Sequence, residues 1–179
     1  MDNAQRIEAI AHAARDIGKA MSSAESLRAL DALAASLIGH RMFTALLYHP
    51  DTQETERIYT NQMDKYPLRG RKPARRDRWS KSVIDCGEIF FISSTQDVKD
   101  NFADAVTLLG LGIGSGMCLP IRLRDHTLGT INVLAAADVV SERHSSIGRI
   151  IAALAVPAFE AEQRALGVSD NKASIVRRS

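Results

Sequence analysis

The stretch from residue 110 to 135 constrains the fold more than any other part of the chain, because a glycine-rich entry leads there into two apolar strands. The strands flank a polar turn at residues 124–127, whose sequence is Arg-Asp-His-Thr. One face of the first strand takes every second residue, and the same spacing continues in the second strand. That face comprises Ser115, Met117, Leu119, Ile121 and Leu123, followed by Ile131 and Val133. The alternation predicts a β-hairpin in the middle of a sheet.

The length and composition of the chain are those of one globular domain. A chain of 179 residues can bury roughly 70% of its unfolded surface, and 45% hydrophobic and 25% charged residues are ordinary values for a folded protein. The first residues carry Asp2, Arg6 and Glu8 where a secretion signal needs an apolar run. The longest uncharged stretch, 105–121, is interrupted by glycines and a proline. We therefore expect a cytoplasmic protein without a transmembrane segment.

The side chains that commonly bind metals or carry out redox chemistry are scattered. Cys86 and Cys118 lie far apart in the sequence, and no two of the five histidines fall three or four residues apart. The glycine run at 110–116 satisfies no phosphate-loop motif and leads into a strand instead of a helix. The sequence therefore predicts no metal, no cofactor and no disulfide.

A basic cluster at residues 69–78 makes the charge of the chain uneven. Six basic residues stand there against one aspartate, although the net charge of the whole chain is only +2. Arginine and lysine could draw a carboxylate or phosphate to the mouth of a pocket, and a solvated loop explains the same cluster equally well. Because the cluster is neither a stripe nor part of a DNA-binding motif, we expect no nucleic-acid partner.

Helical spacing is present at both ends of the chain. Ser22 and Glu25 form a capping-box pattern before a second helix, which Gly39 ends. Ser141 is a suitable N-cap for a last helix with apolar residues three and four apart. A first helix is expected from about residue 4 to 21, with a seam that could face a second copy. That seam consists of Ile7, Ile10, Ala14, Ile17 and Met21.

Strands and loops alternate between these helices. The spacing predicts strands over residues 42–48, 57–61 and 89–92, with a long surface loop over 62–78. Short helical segments are expected between the third of these strands and the glycine-rich entry, at 97–109. This order predicts an α+β fold with a mainly antiparallel sheet of five or six strands.

The chain divides into one domain and a short tail. We place the domain in residues 1–166, with residues 1–21 as its N-terminal helix. The polar residues 167–179 are expected to form a frayed tail.

Residues 128–134, Leu-Gly-Thr-Ile-Asn-Val-Leu, follow the strand Leu119-Pro120-Ile121, and a closing helix is expected at 150–161. Four further segments belong with them: Tyr66-Pro67-Leu68, Gly70-Arg71-Lys72-Pro73, Trp79 and Gly87-Glu88-Ile89-Phe90. Together, these sequences resemble the GAF domain family. The resemblance is to bacterial single-domain GAF proteins and extends from about residue 26 to 162.

The resemblance implies a GAF-like fold, related to PAS domains, with the N- and C-terminal helices on one face of the central sheet. These helices would form a homodimer, and a small-molecule pocket would lie on the other face under short helices and loops. The implied pocket is lined by Phe43 or Thr44, Trp79, Ser93, Ser94, Asp97, Met117 or Cys118, and Asn132, with Arg71, Lys72, Arg75 and Arg76 at its mouth.

Several of these residues also have a purely structural explanation. Trp79 could stack on a planar ligand or fill the core, and Ser94 could cap the helix that follows it by accepting the N–H of Asp97. Cys118 lies in an apolar strand, where a thiol packs as a small hydrophobe and ionises poorly. Asn132 needs partners for its amide, which the backbone or a ligand could supply.

The sequence departs from the functional subclasses that the resemblance implies. The position of the nucleophile in methionine sulfoxide reductases of this fold is near Leu109, and no cysteine is followed by the histidine of a bilin attachment site. Only fragments such as Asp97, Asp100, Asn101 and Phe102 are similar to the signature of cyclic-nucleotide-binding members. These departures favour a binding module over an enzyme.

The sequence thus predicts a sensor or regulatory module that binds a small organic ligand, anionic or aromatic, and has no output domain of its own. Two alternatives stay open. One is an enzyme on the same scaffold, a thiol-dependent reductase using Cys86 or Cys118 or another small-molecule transformation. The other is a structural dimeric adaptor whose helical seams carry its function.

Overall fold

The computed structural model describes residues 1–74 and 77–176 and centres on one antiparallel sheet of six strands. Their order across the sheet is β3-β2-β1-β6-β5-β4, and each neighbouring pair is antiparallel. The predicted α+β fold with a mainly antiparallel sheet is confirmed. The strands are β1 (Met42–His49), β2 (Glu54–Thr60), β3 (Arg71–Pro73), β4 (Phe90–Ile92), β5 (Ser115–Leu123) and β6 (His126–Ala135).

The hairpin predicted from residues 110–135 forms the middle of this sheet. β5 and β6 pair along nearly their whole length, and β6 pairs on its other side with β1. The register sets Met117 opposite Val133 and Cys118 opposite Asn132. Because side chains alternate along a strand, the first pair faces one side of the sheet and the second pair faces the other.

Three long helices cover one face of the sheet: α1 (Asn3–Lys19), α2 (Ser23–Leu37) and α6 (Ser145–Val176). α6 packs on β1, β5 and β6, and α2 contacts both α1 and α6. The core between this helical layer and the sheet includes the fully buried side chains of Leu27, Leu30, Phe43, Met117, Ile131, Val133 and Phe159.

Side-chain caps set where the first two helices begin. Asp2 and Gln5 form a capping box at the start of α1. The Ser22 hydroxyl accepts the N–H of Glu25 at the start of α2, as predicted. The Glu25 carboxylate, however, accepts the N–H of Met21 at 2.7 Å and does not complete the predicted box with Ser22.

Short helices cover the other face of the sheet. They are α3 (Arg78–Ser80), which a π-helical turn (Lys81–Asp85) continues, α4 (Thr95–Asn101) and α5 (Ala105–Gly110). A second apolar cluster lies under them and includes Val83, Phe90, Ile92, Val98, Leu108, Cys118 and Leu134. The sheet therefore has an apolar core on each side.

The surface loop predicted over residues 62–78 contains a strand, so that prediction is wrong at β3. β3 extends the edge of the sheet by pairing with β2, with Arg71 opposite Glu56 and Lys72 opposite Thr55. The exposed side chains of β3 give no apolar pattern that would have predicted it. The strand is held by backbone hydrogen bonds to β2 and by ion pairs, since its side chains are exposed.

The ion pairs centre on Glu56, which is only 4% exposed. Its carboxylate accepts hydrogen bonds from Arg69 and Arg71 at 3.1 Å each and pairs with His49 at 3.0 Å. Burial alone would raise the pKa of Glu56, but these hydrogen bonds and charges outweigh burial and lower it. Arg69 also reaches Glu162 of α6 at 2.9 Å and so ties the β3 edge to the helical layer.

The last helix extends further than the sequence predicted. Ser141 caps a 3-10 turn (Glu142–His144), and α6 follows it directly. α6 continues past Pro157, and residues 167–176, which the sequence assigned to a polar tail, have helical backbone. The rest of that tail lies outside the described residues. Among the described residues, no helix combines the length and apolar content that crossing a membrane requires.

Candidate functional site

A cavity of about 90 Å³ lies on the face of the sheet opposite the long helices. Its floor is formed by Leu46 of β1, Thr55 of β2 and Asn132 of β6. Its walls come from the end of β3 and the segment after it, from α3, and from the connection between α4 and α5. The wall residues are Lys72, Pro73, Ala74, Asp77, Trp79, Asn101, Phe102, Ala103 and Asp104.

Strand alternation places Asn132 at the floor of the cavity. Its neighbours Ile131 and Val133 are buried in the core under the long helices, so its own side chain lies on the other face. The Asn132 amide nitrogen donates to the hydroxyl of Thr44 at 3.4 Å. The Asn132 amide oxygen is buried and has no hydrogen-bond partner among the described residues.

A tight helical turn holds Trp79 in the cavity wall. The Asp77 carboxylate accepts the N–H of Ser80 at 3.0 Å, and the Ser80 hydroxyl accepts the N–H of Asp77 at 3.1 Å. This reciprocal cap fixes the start of α3. The indole N–H of Trp79 is buried and lies close enough to the Cys118 thiol to lower its pKa, although within the described part of the chain it meets no acceptor in strict hydrogen-bonding geometry.

Cys118 is buried on the cavity side of the sheet, in surroundings that disfavour its thiolate. The residue is fully buried in the second apolar cluster, opposite Asn132 in the sheet register. Burial raises the pKa of its thiol to about 12, and the nearby Trp79 indole offsets only part of that rise. Cys86 is exposed and does not line the cavity. Neither thiol has the surroundings of a nucleophile acting in this cavity.

Phe43 and Met117, two of the predicted pocket residues, lie on the wrong face of the sheet. Both are fully buried in the core under the long helices, and both stand opposite Val133 in the register of their strands. The sequence offered Thr44 and Cys118 as the alternatives at these two positions. Thr44 contacts Asn132, and Cys118 packs in the second apolar cluster, so both lie on the cavity side of the sheet, although neither lines the cavity.

The predicted residues of the 93–97 turn cap a helix and do not line the cavity. The Ser94 hydroxyl accepts the N–H of Asp97 at 3.1 Å, and the Asp97 carboxylate accepts the N–H of Ser93 at 2.8 Å. Ser93 and Ser94 are exposed. The Ser94 hydroxyl caps α4, as its structural explanation predicted, and Ser93 contributes its backbone N–H.

Arg71 and Lys72, two of the residues predicted at the basic pocket mouth, lie on opposite sides of the sheet. Lys72 lines the cavity, whereas Arg71 lies on the side of the long helices and pairs with Glu56. Their positions differ because they are successive residues of β3 and therefore point in opposite directions. Arg75 and Arg76 lie outside the described residues.

Charges of both signs border the cavity among the described residues. Lys72 contributes a cation, and Asp77 and Asp104 contribute carboxylates. The side chain of Asp104 lies near Arg57 and Tyr66, where burial and this carboxylate raise the pKa of Tyr66 above its ordinary value. The tyrosine hydroxyl and the carboxylate nevertheless do not meet hydrogen-bonding geometry.

Buried polar atoms without hydrogen-bond partners concentrate on this face. Arg57 stands opposite Leu46 in the sheet and stacks over the ring of Tyr66, with 5.0 Å between the guanidinium carbon and the ring centroid. Thr130 precedes Asn132 by two residues and so shares its face. In the described part of the chain, seven buried polar side-chain atoms lack a hydrogen-bond partner, and five of them belong to Arg57, Tyr66, Trp79, Thr130 and Asn132.

Most of the residues that line the cavity were not predicted from the sequence. Period-two spacing from Thr44 and Asn132 could have indicated Leu46, which lies on the same face of β1. Thr55 required knowledge of the β1–β2 register, which shifts at a bulge after Ala45. The connection between α4 and α5 contributes Asn101, Phe102, Ala103 and Asp104, and only the fold brings it over the sheet.

No protein-family model matches the sequence, and no curated protein matches it. Solved structures do match its fold. The GAF domain of a phosphoenolpyruvate-protein phosphotransferase from Acinetobacter aligns over 92% of this chain and 97% of its own, with a TM-score of 0.72 and 13% identity.

Two photoreceptor structures match the same fold. The phycocyanobilin-bound GAF domain of a cyanobacterial phytochrome aligns over 89% of this chain and 96% of its own, with a TM-score of 0.66 and 16% identity. The chromophore-binding domain of an unusual bacteriophytochrome from R. palustris aligns over 92% of this chain with a TM-score of 0.68 and 11% identity. This chain spans 64% of the length of that domain.

Proposed function

The chain has a GAF-domain fold, and we propose that it is a sensory module that binds a small molecule in the cavity above Asn132. GAF-fold neighbours include sensor proteins, such as a two-component sensor histidine kinase of Bacillus halodurans. The cyanobacterial neighbour holds phycocyanobilin in its GAF domain. These neighbours support a sensory role for the fold, and the cavity of this chain supplies the candidate site.

One observation carries the proposal: two residues that line the cavity each hold a buried polar atom without a hydrogen-bond partner among the described residues. They are the Trp79 indole N–H and the Asn132 amide oxygen. Leaving such a group unpaired costs about 1–3 kcal/mol, and most buried polar groups in folded proteins are paired. Neither atom has appreciable accessible surface in this structure, so a ligand recovers this free energy if the two side chains shift on binding.

The chemistry of the cavity favours binding over catalysis. The Cys118 thiol has a pKa of about 12 and is fully buried, which disfavours the thiolate that a reductase needs. The Asp97 carboxylate and the Ser94 hydroxyl are used at the start of α4, where they accept the N–H groups of Ser93 and Asp97. We therefore prefer a ligand-binding module to the thiol-dependent reductase.

We also propose that the protein is a homodimer that associates through α1. Ile10 and Ile17 of the predicted seam pack against the core, but Ile7 is 67% exposed and Met21 is 92% exposed. These two exposed apolar side chains, near the two ends of α1, gain free energy when a second copy covers them. This feature also supports an adaptor role, which is compatible with ligand binding.

The test of the binding proposal uses Trp79 as a reporter, because it is the only tryptophan in the chain. Native mass spectrometry of the purified protein identifies a co-purified molecule, and tryptophan fluorescence follows its return to the stripped protein. We expect Asn132→Leu to weaken binding at least fivefold, since one buried hydrogen bond is lost.

Ser93→Ala is the matched control, because its hydroxyl lies outside the cavity. We expect this variant to bind as the unaltered protein does. Equal affinity of Asn132→Leu and the unaltered protein would contradict the proposed site. A protein that carries no bound molecule and shows no fluorescence change with a metabolite library would contradict ligand binding itself.

A further inference from the structure

The cavity wall at β3 has little apolar anchoring. All three side chains of β3 are exposed, and the strand lies at the edge of the sheet. Lys72, Pro73 and Ala74 line the cavity, and the N–H of Ala74 donates to the carbonyl oxygen of Gln53 at 2.7 Å. Because the side chains of β3 bury little surface, the polar contacts around the strand decide how firmly this wall is held.

The ion pairs of β3 lie on the other face of the sheet. Glu56 stands opposite Leu47 of β1 and Arg71 of β3. Leu47 belongs to the core under the long helices, and residues opposite each other in neighbouring strands share a face. The buried Glu56 carboxylate accepts hydrogen bonds from Arg71 and from Arg69, which precedes the strand by two residues. Two guanidinium groups therefore fasten β3 from the helical side.

Arg69 carries this network across to the helices. Its Nη1 donates to Glu56 at 3.1 Å and to Glu162 of α6 at 2.9 Å, and the side chain of Glu162 is only 13% exposed. The other carboxylate oxygen of Glu162 accepts the hydroxyl of Ser23 at the start of α2. The backbone N–H of Arg69 donates to the carbonyl oxygen of Arg57 at 2.8 Å. One residue thus joins β2, the start of β3 and the helical layer.

We infer that Arg69 couples the helical layer to the cavity, so that the position of α6 governs how firmly the β3 wall is held. Arg69 is a positioning residue in this device, because it acts on the cavity through the backbone of β3. The use of the coupling rests on the proposed function: a ligand that orders the β3 wall favours the same ion pairs on the helical face. Such a coupling is reciprocal, so a change at α6 alters affinity in the cavity by the same factor.

Hydrogen exchange of the Ala74 amide in the full chain, without added ligand, tests the coupling. This amide belongs to the cavity wall, and the amides of β6 in the middle of the sheet report global unfolding. Glu162→Gln removes the charge that Arg69 meets on α6, and we expect it to speed Ala74 exchange about fivefold relative to the β6 amides. Glu160→Gln is the matched control. It removes a carboxylate of the same helix that pairs with Arg164 at 3.4 Å, and it should leave the exchange unchanged.

A second pair of variants separates a relay through Arg69 from a general weakening of α6. We expect Arg69→Gln to speed Ala74 exchange at least as much as Glu162→Gln does. The variant with both changes should exchange no faster than Arg69→Gln alone, because the two residues act through one contact. Ser23→Ala removes the hydroxyl that holds the other oxygen of Glu162 and should act in the same direction. It provides the same test if a charge variant does not fold.

The failures of the two proposals are distinguishable. Unchanged Ala74 exchange in Glu162→Gln overturns the coupling, as does an effect of Glu162→Gln that persists in full beside Arg69→Gln. Neither result bears on ligand binding, which the co-purified molecule and the Trp79 fluorescence test separately. A protein without any ligand overturns the proposed function and leaves the exchange test standing.

Discussion

At the scale of single residues, the two cysteines have opposite surroundings. Cys118 is fully buried and has a pKa of about 12, whereas Cys86 is exposed after the π-helical turn. A thiol reacts with a disulfide reagent as the thiolate, and it must be reachable. The folded protein is therefore expected to contain one reactive thiol.

We predict that Ellman's reagent at pH 8 modifies one thiol per folded chain and two per chain in guanidinium chloride. Cys86→Ser should lower these values to zero and one, and Cys118→Ser should leave the folded value at one. The absorbance of the released thiolate gives the count. Rapid modification of the folded Cys86→Ser variant would show that Cys118 is reachable.

Protonation of His144 in acid is expected to destabilise the helical layer. The residue is buried at the start of α6, and its Nδ1 accepts the N–H of Ser141 at 3.2 Å, which requires an unprotonated nitrogen. Burial, followed by the charge of Arg143, lowers the pKa of His144 below its ordinary value near 6.5. The unfolded chain therefore binds a proton at a higher pH than the folded chain does.

The contribution of neutral His144 to the free energy of unfolding is therefore complete above about pH 6.5. It is lost as the pH falls below that value, by about 1.4 kcal/mol for each unit by which the pKa values of the folded and unfolded chain differ. We predict that His144→Gln weakens this loss, since glutamine can accept the Ser141 N–H at any pH. Urea unfolding at pH 7.5 and pH 5.5 measures it. The same loss of unfolding free energy in both proteins would contradict this role of His144.

At the scale of elements, Gly129 sets how closely α6 approaches the sheet. A Cβ atom there would lie 2.2 Å from the carbonyl oxygen of Leu46 and 2.5 Å from Cε1 of Phe159. Phe159 is fully buried on α6, so the ring has no free space to move into. The glycine in the Leu-Gly-Thr-Ile-Asn sequence is thus required by the contact of strand and helix.

We predict that Gly129→Ala lowers the free energy of unfolding by about 2–3 kcal/mol through overpacking. Gly18→Ala is the matched control, because no atom lies within 4 Å of its added Cβ and the residue is inside α1. That substitution should raise stability by about 0.5 kcal/mol, since alanine is the better helix former. Chemical denaturation measures both, and equal effects would contradict the packing argument.

At the scale of the whole molecule, α1 decides whether the protein associates. We predict that light scattering gives a mass of twice the 19.5 kDa chain at micromolar concentrations. Ile7→Glu, which places a charge on the exposed seam, should give the monomer mass. Asp16→Asn changes one charge on the opposite side of α1 and should remain a dimer. A monomeric unaltered protein over the whole concentration range would contradict the proposed dimer.

The sequence by itself determined the fold class and most of the elements. Period-two spacing predicted the β5–β6 hairpin, and three-and-four spacing predicted α1, α2 and α6, because both patterns follow from local backbone geometry. The caps at Ser22 and Ser94 were equally local, since each joins residues three apart in the chain. β3 was missed because it carries no such pattern and exists only by pairing with β2.

Only the tertiary structure decided which residues form the site. Alternation showed that Phe43 and Thr44 face opposite sides, as do Met117 and Cys118, but it did not show which side the long helices cover. The packing of α6 on β1, β5 and β6 settles this, and it leaves Thr44, Cys118 and Asn132 on the cavity side. The cavity itself forms only when the segment at Trp79 and the α4–α5 connection meet over the strands, since these parts are distant in sequence.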